Sequence, residues 1–226
     1  MIEEGKFKLS KKENTVSLEE AFYYSQKNNL NPDGSPNMSK AGTDSAKKYG
    51  RFNQCFISTT TACQNQIVSS LLKKGFKSYI PNPHIDERAT LLALLGPNAE
   101  LWPDPDRFLW ENHKKFVTAN LTAIFPGINF ELKFQLVDNS YRKIIKTSLE
   151  AGFQGWISIK TQSGSGHLIS FIRESENGIW ACDPAGSYLK GYGNLANTDG
   201  RDVFYDNETL KKMLIQDRII MTFRLK

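Results

Sequence analysis

The chain is poor in cysteine and histidine, with three of each in 226 residues. Cys55, Cys63 and Cys182 are too few for a disulfide-stapled miniprotein, and an odd number cannot all pair internally. No Cys-x-x-Cys is present, and the two nearest cysteines stand eight residues apart, which is not the spacing of a structural zinc site. No apolar run reaches the roughly 18 residues of a membrane-spanning helix, so no membrane span is expected. The opening MIEEGKFKLSKKEN is charged throughout and lacks the apolar core of a secretory signal. Synthesis in the cytoplasm is the expectation, with release on lysis or by a specialised route left open. A dense basic block with interleaved aromatics is also missing. The 29 Lys and Arg against 24 Asp and Glu give a charge of +5, spread out as in KYGR, SLLKKGFKS and SYRKIIK. Nucleic acid is therefore not an expected partner, whereas a mild preference for anionic surfaces is compatible with the charge. Asp33-Gly34 lacks the alternating carboxylates and closing Glu of a calcium loop.

What is present is ordinary globular composition, 39% hydrophobic and 23% charged, which excludes a disordered chain and a collagen-like repeat. The length suits one domain, or one core with two lobes. Ser17-Leu18-Glu19-Glu20 is a capping box, and apolar residues at helical spacing follow it over 15–27. Residues 29–42 read as a loop rich in Pro, Gly, Asn and Ser. Residues 55–74 read as a helix ending at Gly75. Its β-branched run from Ile57 to Thr61 is poor helix-forming material, so packing must hold it and the helix should be buried. Helices are also expected over 84–95, 105–125 and 140–152. The pattern then changes to short apolar runs at 155–161, 167–173, 178–184, 201–206 and 218–225, with a helix at 207–216. That makes at least five strands, and an α+β fold with a mostly helical first two-thirds and an antiparallel last third.

Three places carry chemistry. Cys55 stands at the N-terminus of the buried helix, where unpaired N–H groups and the helix dipole stabilise a thiolate and can donate to an oxyanion. The competing reading is a buried apolar cysteine, which is the expectation for Cys63. His167 follows Ser163-Gly164-Ser165-Gly166 and opens an apolar strand, either beside a substrate or as a half-buried structural histidine. Asp183, in Cys182-Asp183-Pro184-Ala185-Gly186, is either a turn residue or the partner of His167. The two are 16 residues apart with a turn near 175–178 between them, which brings start and end of adjacent antiparallel strands together. His84 and His113 read as cap or surface residues. Trp156 and Trp180 read as sheet core or as the wall of a cleft, and Trp102 and Trp110 as packing between helices.

In this order, Cys55-Phe-Ile-Ser-Thr-Thr, Gly166-His167-Leu-Ile and Asp183-Pro-Ala-Gly resemble the papain-like cysteine peptidases. The branch most similar is that of bacteriocin-processing peptidases, common in bacterial and phage proteins; the trailing GRDVFYDNETLKKML is also similar to it. The resemblance covers roughly residues 50–226, with 1–49 as an N-terminal helical or loop extension. It implies a papain-like fold, with a helical N-terminal lobe that carries the nucleophile packed on a C-terminal antiparallel sheet. It implies a Cys55 nucleophile, His167 as general base and acid, and Asp183 as the residue orienting His167. The family usually places a Gln a few residues upstream of the Cys as an oxyanion donor. Here position 49 is Tyr, and Gln54, directly before the Cys, is the choice for that donor, with Asn53 the other amide. The implied activity is cleavage of a peptide or isopeptide bond through an acyl-enzyme, on a peptide, protein or peptidoglycan-peptide substrate, without metal or organic cofactor. Two other readings fit the same residues, an acyltransferase or transglutaminase-like enzyme and a catalytically inactive binding module.

Overall fold

The computed structural model describes Tyr23 and residues 54–87, 89–90, 93, 118–192, 199–214 and 218–226. The expected helix at 15–27 and loop at 29–42, Trp102, Trp110 and His113 lie outside the described residues, Tyr23 apart. The described elements run α1 (Gln54–Lys73), α2 (Ala119–Ile124), β1 (Phe130–Leu136), α3 (Tyr141–Glu150), β2 (Gly155–Lys160), β3 (Gly166–Ser175), β4 (Gly178–Cys182), a 3-10 turn (Tyr188–Lys190), β5 (Val203–Asp206), α4 (Asn207–Met213) and β6 (Ile219–Leu225). The six strands form one open sheet in the order β1-β6-β2-β3-β4-β5, every pairing antiparallel. The fold is a mixed α+β arrangement.

The strand β1 was not expected, because it falls inside the region read as helical. Its sequence, Phe-Glu-Leu-Lys-Phe-Gln-Leu, alternates with period two over its whole length. It pairs along β6 from Phe130–Leu225 to Leu136–Ile219. Around the expected 84–95 helix, Glu87, Ala89, Thr90 and Ala93 are helical, and the Asp86 carboxylate caps that start by accepting from the Ala89 N–H at 2.6 Å.

Two apolar layers flank the sheet. On one face α1 packs Ile57, Ile67, Val68 and Leu71 against Trp156 and Met221. On the other, α3 and α4 cover Ile157, Ile169, Phe171, Ile179 and Ile220. Strand alternation explains the division: Trp156 and Ile157 are neighbours in β2 and point to opposite faces.

Helix α1 is buried nearly all round, hydroxyl and amide groups included. These polar groups are tied to neighbouring segments. Asn65 donates to the Ile85 carbonyl at 2.8 Å and accepts from the Ile85 N–H at 2.9 Å. Thr61 Oγ1 bonds to the Ile57 carbonyl and to Thr90, each at 2.7 Å. Thr59 donates to the Leu168 carbonyl of β3 at 3.3 Å. Packing and these bonds together hold a run of β-branched residues in a helix that propensity alone would not favour. The helix ends at Gly75, whose φ of 85° no β-branched residue would tolerate. The Phe76 N–H reaches the Leu71 carbonyl and the Gly75 N–H that of Leu72, a Schellman motif.

One irregularity sets the site. Arg173 pairs with Trp180, but Phe171 pairs with Ala181, so the register shifts at Ile172. Beyond this bulge Ser170 stands opposite Cys182, and one further step sets Asp183 against Ile169. His167, two residues along β3, shares that face and becomes the diagonal neighbour of Asp183. Without the extra residue of β3, Asp183 would stand against Ser170, and His167 would lie on the opposite face from it.

Trp156 is fully buried, edge-on to Phe56 at 6.2 Å and tilted against Phe134 at 5.9 Å. Trp156→Ala should cost about 3–5 kcal/mol in urea unfolding. A loss below about 1 kcal/mol would mean that α1 and the sheet do not share this core.

Candidate active site

Cys55 is the second residue of α1, and its side chain is half-buried. The first turn of α1 holds no acidic residue, so nothing in it opposes the positive end of the helix dipole. Gln54 begins the helix; its side chain lies outside the described residues. His167 is the second residue of β3, at a side-chain exposure of 5%, and Asp183 follows β4 at 0%.

The structure brings Cys55, His167 and Asp183 together. His167 Nε2 and Asp183 Oδ1 are 2.8 Å apart. The Cys55 side chain lies close enough to His167 to raise the pKa of its ring. With Nε2 engaged by Asp183, Nδ1 is the ring nitrogen left to face Cys55. Asp183 fills both roles open to it from its sequence context. The Asp183-Pro184-Ala185-Gly186 turn closes with the Gly186 N–H on the Asp183 carbonyl at 3.0 Å, with Pro at the position whose φ it presets. Asp183 Oδ1 takes the Ala185 N–H at 3.1 Å and still faces the imidazole.

Two tyrosines that sequence reasoning did not single out complete the carboxylate. The hydroxyls of Tyr192 and Tyr205 donate to Asp183 Oδ2 at 2.6 and 2.7 Å. Burial, and then the Asp183 charge, hold both phenols protonated far above their ordinary range, so they remain donors. Tyr192 also lies against the imidazole, ring centroids 4.8 Å apart. Tyr205 carried a faint signal: a tyrosine in an apolar strand must find a partner for its hydroxyl. Tyr192, in Lys190-Gly191-Tyr192-Gly193, carried none.

The electrostatics favour a charged histidine. Burial pulls the His167 pKa down. The Asp183 charge and hydrogen bond, followed by the hydrogen bond and charge of Cys55, act the other way and prevail, pushing it up to about 10. The remaining thiols differ in surroundings. Burial, and then Cys182, raise Cys63 well above an ordinary thiol, and burial first raises Cys182 to about 11. Trp156 belongs to the core. Trp180 is half-buried, against Phe204 at 4.5 Å and under the Arg173 guanidinium at 4.9 Å. His84 is exposed. Among the described residues, no group of three or more His, Cys, Asp or Glu is arranged to hold a metal, and no helix is long and apolar enough to cross a membrane.

A histidine whose folded pKa of about 10 exceeds its unfolded value near 6.5 stabilises the fold fully below pH ~6.5. That contribution falls as pH rises and is lost through pH ~10. Urea unfolding from pH 6 to 10.5 should therefore show declining stability in the wild type and a flatter profile in Asp183→Asn. Wild-type stability that rises across this window would contradict a charged pair.

Compared with known proteins, the chain matches no family model, no curated protein and no solved structure.

Proposed function

We propose that the protein is a papain-like cysteine peptidase or amidase, a thiol hydrolase working through a Cys55-His167-Asp183 triad. The observation that carries this reading is the buried imidazole bonded to Asp183, with the Cys55 side chain of a helix N-terminus beside it. The helical layer bearing Cys55 against an antiparallel sheet bearing His167 and Asp183 supports the papain-like assignment.

In the proposed reaction, the resting site holds a Cys55 thiolate beside a His167 imidazolium, with the shared proton on the ring. The thiolate attacks the carbonyl carbon of a peptide or isopeptide bond. The negative charge collects on the carbonyl oxygen, facing the N–H groups of the first turn of α1, the Cys55 N–H among them, with Gln54 as the side-chain donor. As the tetrahedral intermediate collapses, the C–N bond breaks and His167 gives its proton to the leaving amine. Water, deprotonated by His167, then attacks the thioester, releasing the acid and restoring the thiolate–imidazolium pair. Asp183 holds the imidazole orientation throughout and stabilises its positive charge. Its bonds to Tyr192 and Tyr205 keep the carboxylate from swinging away.

Iodoacetamide labelling, with the modified cysteine mapped, tests the pair. Near pH 6 an ordinary thiol is below about 1% thiolate. Cys55 should label rapidly there, and His167→Ala should slow it by at least about tenfold; Cys63 and Cys182 should stay unlabelled in the folded protein. Cys55→Ala should abolish cleavage of any peptide substrate found by screening. Slow labelling of Cys55, unchanged by His167→Ala, would overturn the peptidase reading and leave a binding module.

A further inference from the structure

Tyr23 is separated from the Asp183 turn by 160 residues, yet it is built into the backbone that carries Asp183. The Tyr23 hydroxyl accepts from the Gly200 N–H at 2.8 Å and donates to the Asp183 carbonyl at 3.3 Å. Gly200 in turn accepts from the Asp183 N–H at 2.8 Å. The two strands of chain lie so close that a Cβ on Gly200 would collide with the Asp183 carbonyl, which explains a glycine there. The Arg201 guanidinium sits 5.8 Å from the centre of the Tyr23 ring and holds the ring by a cation–π contact. One hydroxyl thus closes a ring of hydrogen bonds across the peptide groups of Asp183 and Gly200, immediately past the ends of β4 and before β5.

We infer that Tyr23 is a positioning residue of the active site. It fixes the Asp183 backbone, and through it the carboxylate that orients His167. The segment before residue 50 then contributes to the catalytic centre and is not a cover whose removal exposes it. The inference rests on the peptidase reading above, and the side-chain chemistry explains why this contact matters more than packing. Asp183 Oδ1 bonds to both its own turn and His167, so a tilt of the Asp183 peptide displaces the carboxylate from the imidazole. Tyr192 and Tyr205 hold the carboxylate end alone; Tyr23 holds the main chain.

The test is Cys55 alkylation by iodoacetamide across pH 5 to 9 in the full chain, for wild type, Tyr23→Phe, His167→Ala and the double variant. Loss of the hydroxyl bonds should slow labelling at neutral pH by about fivefold in Tyr23→Phe and shift its pH profile. In the His167→Ala background the same change should have no effect, because the path runs through the imidazole. A residue that merely packed would leave the pH profile in place. Arg201→Leu, which loosens the ring but leaves the hydroxyl, is the second variant and should slow labelling by about twofold. Fast, His167-dependent labelling that neither Tyr23→Phe nor Arg201→Leu alters would overturn the inference and leave the peptidase reading standing. Slow labelling in the wild type, independent of His167, would overturn both.

Discussion

A carboxylate with no exposure to water must find partners for its charge and for its lone pairs, and Asp183 draws them from four stretches of chain. His167 comes from β3, the Ala185 N–H from its own turn, Tyr192 from the segment after the 3-10 turn and Tyr205 from β5. Removing one partner of a buried ionic pair typically costs about 3–5 kcal/mol, because the charge left behind is uncompensated. The same constraint sets the chemistry. With the Asp183 charge on one side and Cys55 on the other, the pKa of the imidazole is pushed up towards its charged form. The strands could form a sheet without this carboxylate, but the site could not take shape around His167.

The bulge at Ile172 and the buried helix α1 deliver the two halves of the arrangement. The bulge shifts β4 by one residue against β3 and so sets Asp183 on the His167 face. Helix α1 approaches the sheet from the other face, its Thr59 bonded to the Leu168 carbonyl directly after His167. That bond and the Trp156 core fix where the N-terminus of α1, and hence Cys55, meets the end of β3. Fold and site are therefore coupled: the apolar contacts between α1 and the sheet also set the distance between thiol and imidazole.

Much of this was legible in the residues. The end of α1 at Gly75, the strands at 155–160, 166–175 and 178–182, and the helix and strand that close the chain follow from glycine placement and apolar period. The 16-residue interval between His167 and Asp183 also pointed to their contact, since start and end of a hairpin adjoin. What could not be read was long-range or depended on a single inserted residue. The shift at Ile172 leaves no mark in an apolar strand, yet it decides whether His167 and Asp183 share a face. Tyr192 reaches Asp183 from irregular chain, where no periodicity tells which way a side chain points, and Tyr23 reaches it across 160 residues of sequence. Strand β1 was missed for another reason: its alternation was plain, but helical expectations on both sides of it prevailed.

The most direct measurement is the pH titration of the His167 ring nitrogens by 15N NMR, in the wild type and in Cys55→Ala. The account requires an imidazolium that persists through neutral pH and titrates near pH 10. It also requires a lower midpoint in Cys55→Ala, because the thiolate is one of the groups that hold the proton on the ring. A His167 that is already neutral at pH 7, with the same midpoint in both proteins, would contradict it.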